Sequence, residues 1–139
     1  MAKIKANAKW MEDVRLVVDN ARSHSVVCDL QQASGGGDTG PTALELALMS
    51  LAGCAVTIYA DVAKKSGVTL SKLEVTAEAE KSAGSPKLSE VNIKVHVEGK
   101  ARKELLEAMW RRTEASCPVL FIFKEPIPVK TQLETKSTD

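Results

Sequence analysis

The sequence predicts a single α+β domain, an antiparallel sheet packed around one long buried helix. Three observations predict it. From Thr42 to about Ser66, residues Leu44, Leu48, Leu51, Ala55, Ile58 and Val62 recur three or four positions apart, the spacing of one helix face. Two later segments alternate apolar and polar residues with period two, the pattern of half-buried strands. Strand-like, helical, strand-like, helical and strand-like segments then succeed one another within 139 residues, a length that suits one core and an order that suits an α+β architecture.

Taken in order, Ile4 to Trp10 reads as a strand, as does Arg15 to Val18, which resumes at Ser25 to Leu30 after the turn-forming Asp19-Asn20-Ala21-Arg22-Ser23. Ser34 to Pro41 holds three consecutive glycines and must be loop. In the helix that follows, Leu46, Met49, Ala52 and Val56 widen the apolar surface beyond one stripe. A helix apolar nearly all round belongs at the centre of a fold or of a dimer; Gly67 closes it. Leu73, Val75, Ala77 and Ala79, then Val91, Ile93, Val95 and Val97, form the two faces of a β-hairpin connected through Ala83-Gly84-Ser85-Pro86. Arg102 to Ala115 is an amphipathic helix carrying Leu105, Leu106, Met109 and Trp110, and Ile127 to Glu134 reads as a final strand before a polar tail, 135–139.

Composition narrows the function. Lys+Arg 19 against Asp+Glu 18 leaves a net charge of +1, and aromatics are 4%, so neither the basic field nor the stacking platforms of a nucleic-acid binder are present. The charge-free stretch Leu46 to Ala60 is shorter than the roughly 18 to 20 residues a membrane span needs. The charged N-terminus, Met1-Ala2-Lys3-Ile4-Lys5, lacks the apolar core of a signal peptide. Three cysteines do not suggest a disulfide-stapled secreted fold, so a cytoplasmic protein is expected. His24 and His96 join no cluster of metal-ligand types, and neither a metal nor a cofactor is expected.

Two of the cysteines stand in unlike settings. Cys54 lies deep in the apolar helix, and Cys117 lies 63 residues further on, before Pro118, where the second helix must end. Neither belongs to a C-x-x-C. Brought together, they would be a thiol and a resolving thiol, the minimum for reversible two-electron chemistry. A break at Pro118 is expected to expose the Cys117 thiol. Cys28, within Val26-Val27-Cys28, reads as strand packing. Thr42-Ala43-Leu44-Glu45 has the T-x-x-E form of a capping box, which gives Glu45 a structural role at the helix start. Met109, Trp110, Phe121 and Phe123 read as core, or as the wall of an apolar pocket over the thiol.

In Gly36-Gly37-Asp38-Thr39-Gly40-Pro41, Glu45-Leu46, Leu51-Ala52-Gly53-Cys54 and Cys117-Pro118-Val119, the chain resembles the OsmC/Ohr family over nearly its whole length. The resemblance implies an intertwined homodimer with its long helices at the centre. It also implies a thiol-dependent peroxidase that reduces organic hydroperoxides, with Cys54 attacking, Cys117 resolving, an external dithiol as reductant, and a role in oxidative stress. Family peroxidases add an arginine from the N-terminal strands, for which Arg15 and Arg22 are the candidates, and a glutamate at the start of the cysteine helix. That glutamate stands ten residues before the reactive cysteine, where this chain has Leu44. Glu45, nine before it, matches a second glutamate common in the wider family; at about 100° per residue it falls on the face opposite Cys54. The pattern is closer to a less characterised OsmC-like branch. A non-enzymatic small-molecule binding or redox-sensing dimer is the alternative expectation.

Overall fold

The structure, a computed structural model, describes residues 2–139. Its elements are β1 (Asn7–Glu12), β2 (Arg15–Asp19), β3 (Ser25–Cys28), a short 3₁₀ turn at Gln32–Ser34, α1 (Ala43–Lys65), β4 (Leu70–Lys81), β5 (Leu88–Gly99), α2 (Lys103–Ser116) and α3 (Pro118–Lys124). The chain divides into two compact units, one comprising residues up to Gly53 with Glu74–His96, the other Cys54–Leu73 with Val97–Asp139. Helix α1 and both strands of the β4–β5 pair contribute residues to each.

In the first unit, β1, β2 and β3 form an antiparallel meander in which Asn7 faces Asp19 and Leu16 faces Cys28. The β1–β2 turn holds Asp13 at φ 51° and is latched by the Trp10 indole N–H donating to the Asp13 carbonyl at 2.8 Å. Strand β1 starts at Asn7 rather than at the expected Ile4, and β3 ends at Cys28 rather than Leu30. Asp29 takes the chain out of the sheet.

Strands β4 and β5 pair as a separate two-stranded sheet. The Ser71 hydroxyl donates to the Glu98 carbonyl and the Ser89 hydroxyl to the Glu80 carbonyl, both at 3.2 Å. The constant sum of these pairings (71 and 98, 89 and 80) is that of an antiparallel hairpin. Its alternation of half-buried and exposed positions follows the sequence pattern.

The second unit packs around Tyr59, Val62 and Ala63 of α1 and Met109 of α2, with Ile58, Leu70, Leu73, Val97, Leu106 and Trp110 against them. The buried Tyr59 hydroxyl donates to the Leu106 carbonyl at 2.8 Å, which satisfies the one polar atom this side chain carries inward.

Helix α1 buries one face within the single chain, through Leu51, Ala55, Tyr59, Val62 and Ala63, while Leu44 is 42% and Met49 55% exposed. One expectation needs correcting. No strand forms at Ile127 to Glu134; this segment has no regular structure, and Ile127, Val129 and Leu133 are exposed. Pro126 and Pro128 lack the N–H groups a strand must donate. Ahead of it the chain forms α3, which had not been expected. Pro118 opens this helix at a position where its missing N–H costs nothing and its fixed φ suits the first turn.

Candidate functional site

Helix α1 begins with the capping box foreseen for it. The Thr42 N–H donates to Glu45 Oε1 at 2.9 Å, and the Glu45 N–H donates to Thr42 Oγ1 at 3.0 Å. Two otherwise unpaired amides are satisfied reciprocally, and the Glu45 carboxylate is engaged at the helix start. Further along, Cys54 sits beside the buried Ala55, at the margin of the buried face, and is itself only half-buried.

Cys117 is the joint between α2 and α3. Its N–H donates to the Thr113 carbonyl at 2.9 Å to end α2, and its carbonyl accepts from the Phe121 N–H at 3.3 Å to begin α3. The residue is 1% exposed, so the break at Pro118 does not expose the thiol. With no spare residue between the helices, the side chain is turned inward.

There it meets Cys54. The two side chains lie close enough within the second unit for Cys54 to bear on the ionisation of Cys117, and both cysteines are free thiols. Cys117 is held above the usual thiol range, first by burial and then by the neighbouring Cys54; the N–H groups of Leu120 and Val119 pull the other way. Burial and the adjacent thiol both disfavour the charged form of Cys117. Met109 is fully buried and Trp110 half-buried against the core of the same unit, whereas Phe121 is exposed. Cys28, the third thiol, is 1% exposed at the end of β3 in the other unit.

The first unit contains a separate charged cluster. Arg15 opens β2; its Nη1 lies 2.9 Å from Glu12 Oε1, and its Nε lies 3.5 Å from Asp29 Oδ2. The second contact is an ion pair without hydrogen-bond geometry, and Nε is buried with no hydrogen-bond partner. Asp29, whose side chain is 1% exposed, is the residue that sequence reasoning missed. Its Oδ1 accepts from the Leu30 N–H at 2.8 Å. Its Oδ2 accepts from the Thr39 hydroxyl at 2.7 Å and from the Gly37 and Thr39 N–H groups at 3.2 Å.

The glycine loop is thus wrapped on one buried carboxylate. Arg22 stands elsewhere, in the exposed β2–β3 turn, where its N–H donates to Asn20 Oδ1 at 3.1 Å. The available signal for Asp29 was a carboxylate closing an apolar strand directly ahead of a loop rich in free amides, since a charge so placed must be capped.

The Asp29 carboxyl is held down to about 2, chiefly by the Thr39 hydroxyl, with burial opposing and the Thr39, Leu30 and Gly37 amides adding to the depression. A depressed carboxyl contributes stability above its unfolded value of about 3.9, and that contribution is lost as pH falls through the folded value. Asp29→Asn is therefore expected to melt below the wild type by a gap that is constant above about pH 5 and closes between about pH 4 and pH 2. Thermal unfolding of both proteins across this range checks it; a gap that does not narrow on acidification would remove the charge from the account.

A profile of the family described as "OsmC-like protein" matches residues 35–132, a span that holds the glycines of the loop, helices α1 to α3 and the Cys54–Cys117 pair. The chain belongs to the OsmC-like family. Protein YhfA of Escherichia coli K12 is 22% identical over 134 residues, covering 94% of this chain and 97% of that one. An OsmC-like protein of Mycoplasma pneumoniae superposes with a TM-score of 0.78 at 17% identity, over 88% of each chain. An organic hydroperoxide resistance protein OsmC of Legionella pneumophila does so with a TM-score of 0.65 at 16% identity, over 89% of this chain and 90% of that one. At these identities the structural likeness is one of fold. The OsmC-like profile does not reach Arg15, Arg22, Cys28 or Asp29.

Proposed function

We propose that this OsmC-like protein is a thiol-dependent peroxidase that reduces organic hydroperoxides. The observation that supports it most is the adjacent pair of free thiols, one half-exposed and one buried, drawn from positions 54 and 117. In the cycle, the Cys54 thiolate attacks the outer oxygen of the peroxide; the O–O bond breaks, the alkoxide takes a proton and leaves as an alcohol, and Cys54 becomes a sulfenic acid. The Cys117 sulfur then attacks Cys54, water leaves, and a disulfide joins them. An external dithiol returns both to thiols, supplying two electrons and two protons.

A thiolate nucleophile needs a nearby cation. The resemblance gives that role to an arginine of the N-terminal strands, Arg15 or Arg22 in this chain. Glu45 remains in the cap. A second copy of the chain is part of the reading: Leu44 and Met49 leave apolar surface of α1 exposed, and none of the residues of the β4–β5 hairpin is buried, whereas a lone hairpin is marginal in water. A cytoplasmic setting suits three reduced thiols.

The test is titration of the reduced protein with tert-butyl hydroperoxide. Two thiols per chain are expected to disappear, with peptide mapping placing the new bond between Cys54 and Cys117 and leaving Cys28 free. Retention of all three thiols after excess peroxide would overturn the reading. One observation favours a second reading, a redox-sensing or small-molecule binding dimer. Leu44 stands where the peroxidases of this family carry glutamate, and Glu45 is already engaged. A disulfide that forms once but does not turn over with dithiol would select it.

A further inference from the structure

We propose that the external thiol enters at Cys54 alone, so that the mixed disulfide forms on Cys54 and Cys117 is the sulfur that leaves. This rests on the disulfide cycle proposed above. Two sulfurs are open to attack in any disulfide, and access decides between them when one is enclosed. Displacement at sulfur runs in line: the incoming thiolate must approach from the side opposite the departing sulfur.

For Cys117 that approach is closed. The residue is 1% exposed, with the fully buried Thr113 one turn before it on α2 and the buried Leu120 three residues after it on α3. Its own N–H and carbonyl are tied to Thr113 and Phe121, so the backbone cannot swing the sulfur outward without undoing the end of one helix and the start of the next. Cys54, on a continuous helix and half-buried, requires no such opening.

The leaving side is prepared as well. The N–H groups of Val119 and Leu120 favour negative charge on the Cys117 sulfur, and nearby donors stabilise the charge that develops as the S–S bond lengthens. They offset part of the burial that makes this thiolate costly. In the step, a thiolate forms a bond to Cys54 Sγ as the Cys54–Cys117 bond breaks. The electron pair goes to Cys117, which then takes a proton, while the second sulfur of the reductant completes the exchange.

The experiment uses the full chain and a monothiol probe, glutathione. Diamide first oxidises the protein to the internal disulfide, two electrons and two protons passing to the azo group. A limiting amount of glutathione is added, the reaction is quenched with acid, and free thiols are blocked with N-ethylmaleimide before peptide mapping. Glutathione on Cys54 with maleimide on Cys117 is expected in about tenfold or greater excess over the reverse. Comparable adducts on both, or glutathione mainly on Cys117, would overturn the inference and leave the peroxidase reading standing. A disulfide made by diamide but never by peroxide, with the adduct on Cys54, would retain the inference and remove the peroxidase. A chain that diamide cannot link between these two cysteines would overturn both.

Discussion

Replacing Cys54 with serine is expected to abolish hydroperoxide turnover, a loss on the order of 10³-fold or more, since a hydroxyl at neutral pH cannot supply the anion that breaks the O–O bond. Cys117→Ser is expected to behave differently. The serine hydroxyl fits the same joint, where the N–H groups of Val119 and Leu120 and the Cys54 sulfur offer partners, so the fold persists. Cys54 would then react once, release one equivalent of alcohol per chain, and stop as a sulfenic acid that dimedone traps. Steady-state peroxide consumption with a dithiol donor, and the alcohol released in a single turnover, distinguish the two variants. A Cys54→Ser protein as active as wild type would end the proposed cycle. A Cys117→Ser protein at full steady-state rate would leave Cys54 in place and remove the internal resolving step.

The asymmetry between the two thiols follows from how each is held, and only part of that was legible in the sequence. Period-two alternation announced the β4–β5 hairpin, and spacing of three and four announced α1 and α2, because these elements are long enough for one face to repeat several times. T-x-x-E announced the Thr42–Glu45 cap because the chemistry is local. Helix α3 lacked such a signal. Val119 to Phe123 is a five-residue apolar run, too short to distinguish helix from strand, and only Pro118 at its head marked the difference.

The tail misled for the converse reason. Ile127, Val129 and Leu133 repeat with strand spacing, but prolines at 126 and 128 withhold the donors that pairing requires. The meeting of Cys54 and Cys117 came from resemblance to a family and from no periodicity, since contact across 63 residues depends on how α1 and α2 pack. Asp29 was missed because its one signal, a carboxylate closing an apolar strand ahead of an amide-rich loop, repeats with no period.

Gly36, Gly37 and Gly40 of the loop serve close approach in the structure, which sets up a graded stability test. A methyl placed at Gly40 would overlap the Val27 carbonyl oxygen and come within 2.9 Å of its carbon. Both atoms belong to the backbone of β3, which is paired with β2 and cannot retreat without breaking that ladder. A methyl at Gly37 would instead meet Arg15 Nη2 at 3.2 Å and Asp29 Oδ2 at 3.3 Å, the ends of side chains that can yield by a few tenths of an ångström. Gly40→Ala is therefore expected to cost about 2–3 kcal/mol, in the range of a forced overpacking. Gly37→Ala should cost less than about 1 kcal/mol, a shift of Arg15 absorbing most of the strain. Urea unfolding of the three proteins, compared at equal m-values, measures both differences. Equal costs at the two positions would mean that the loop yields at Gly40 as readily as side chains do at Gly37, and the rigid wrapping of residues 35–40 around the Asp29 carboxylate would then be wrong.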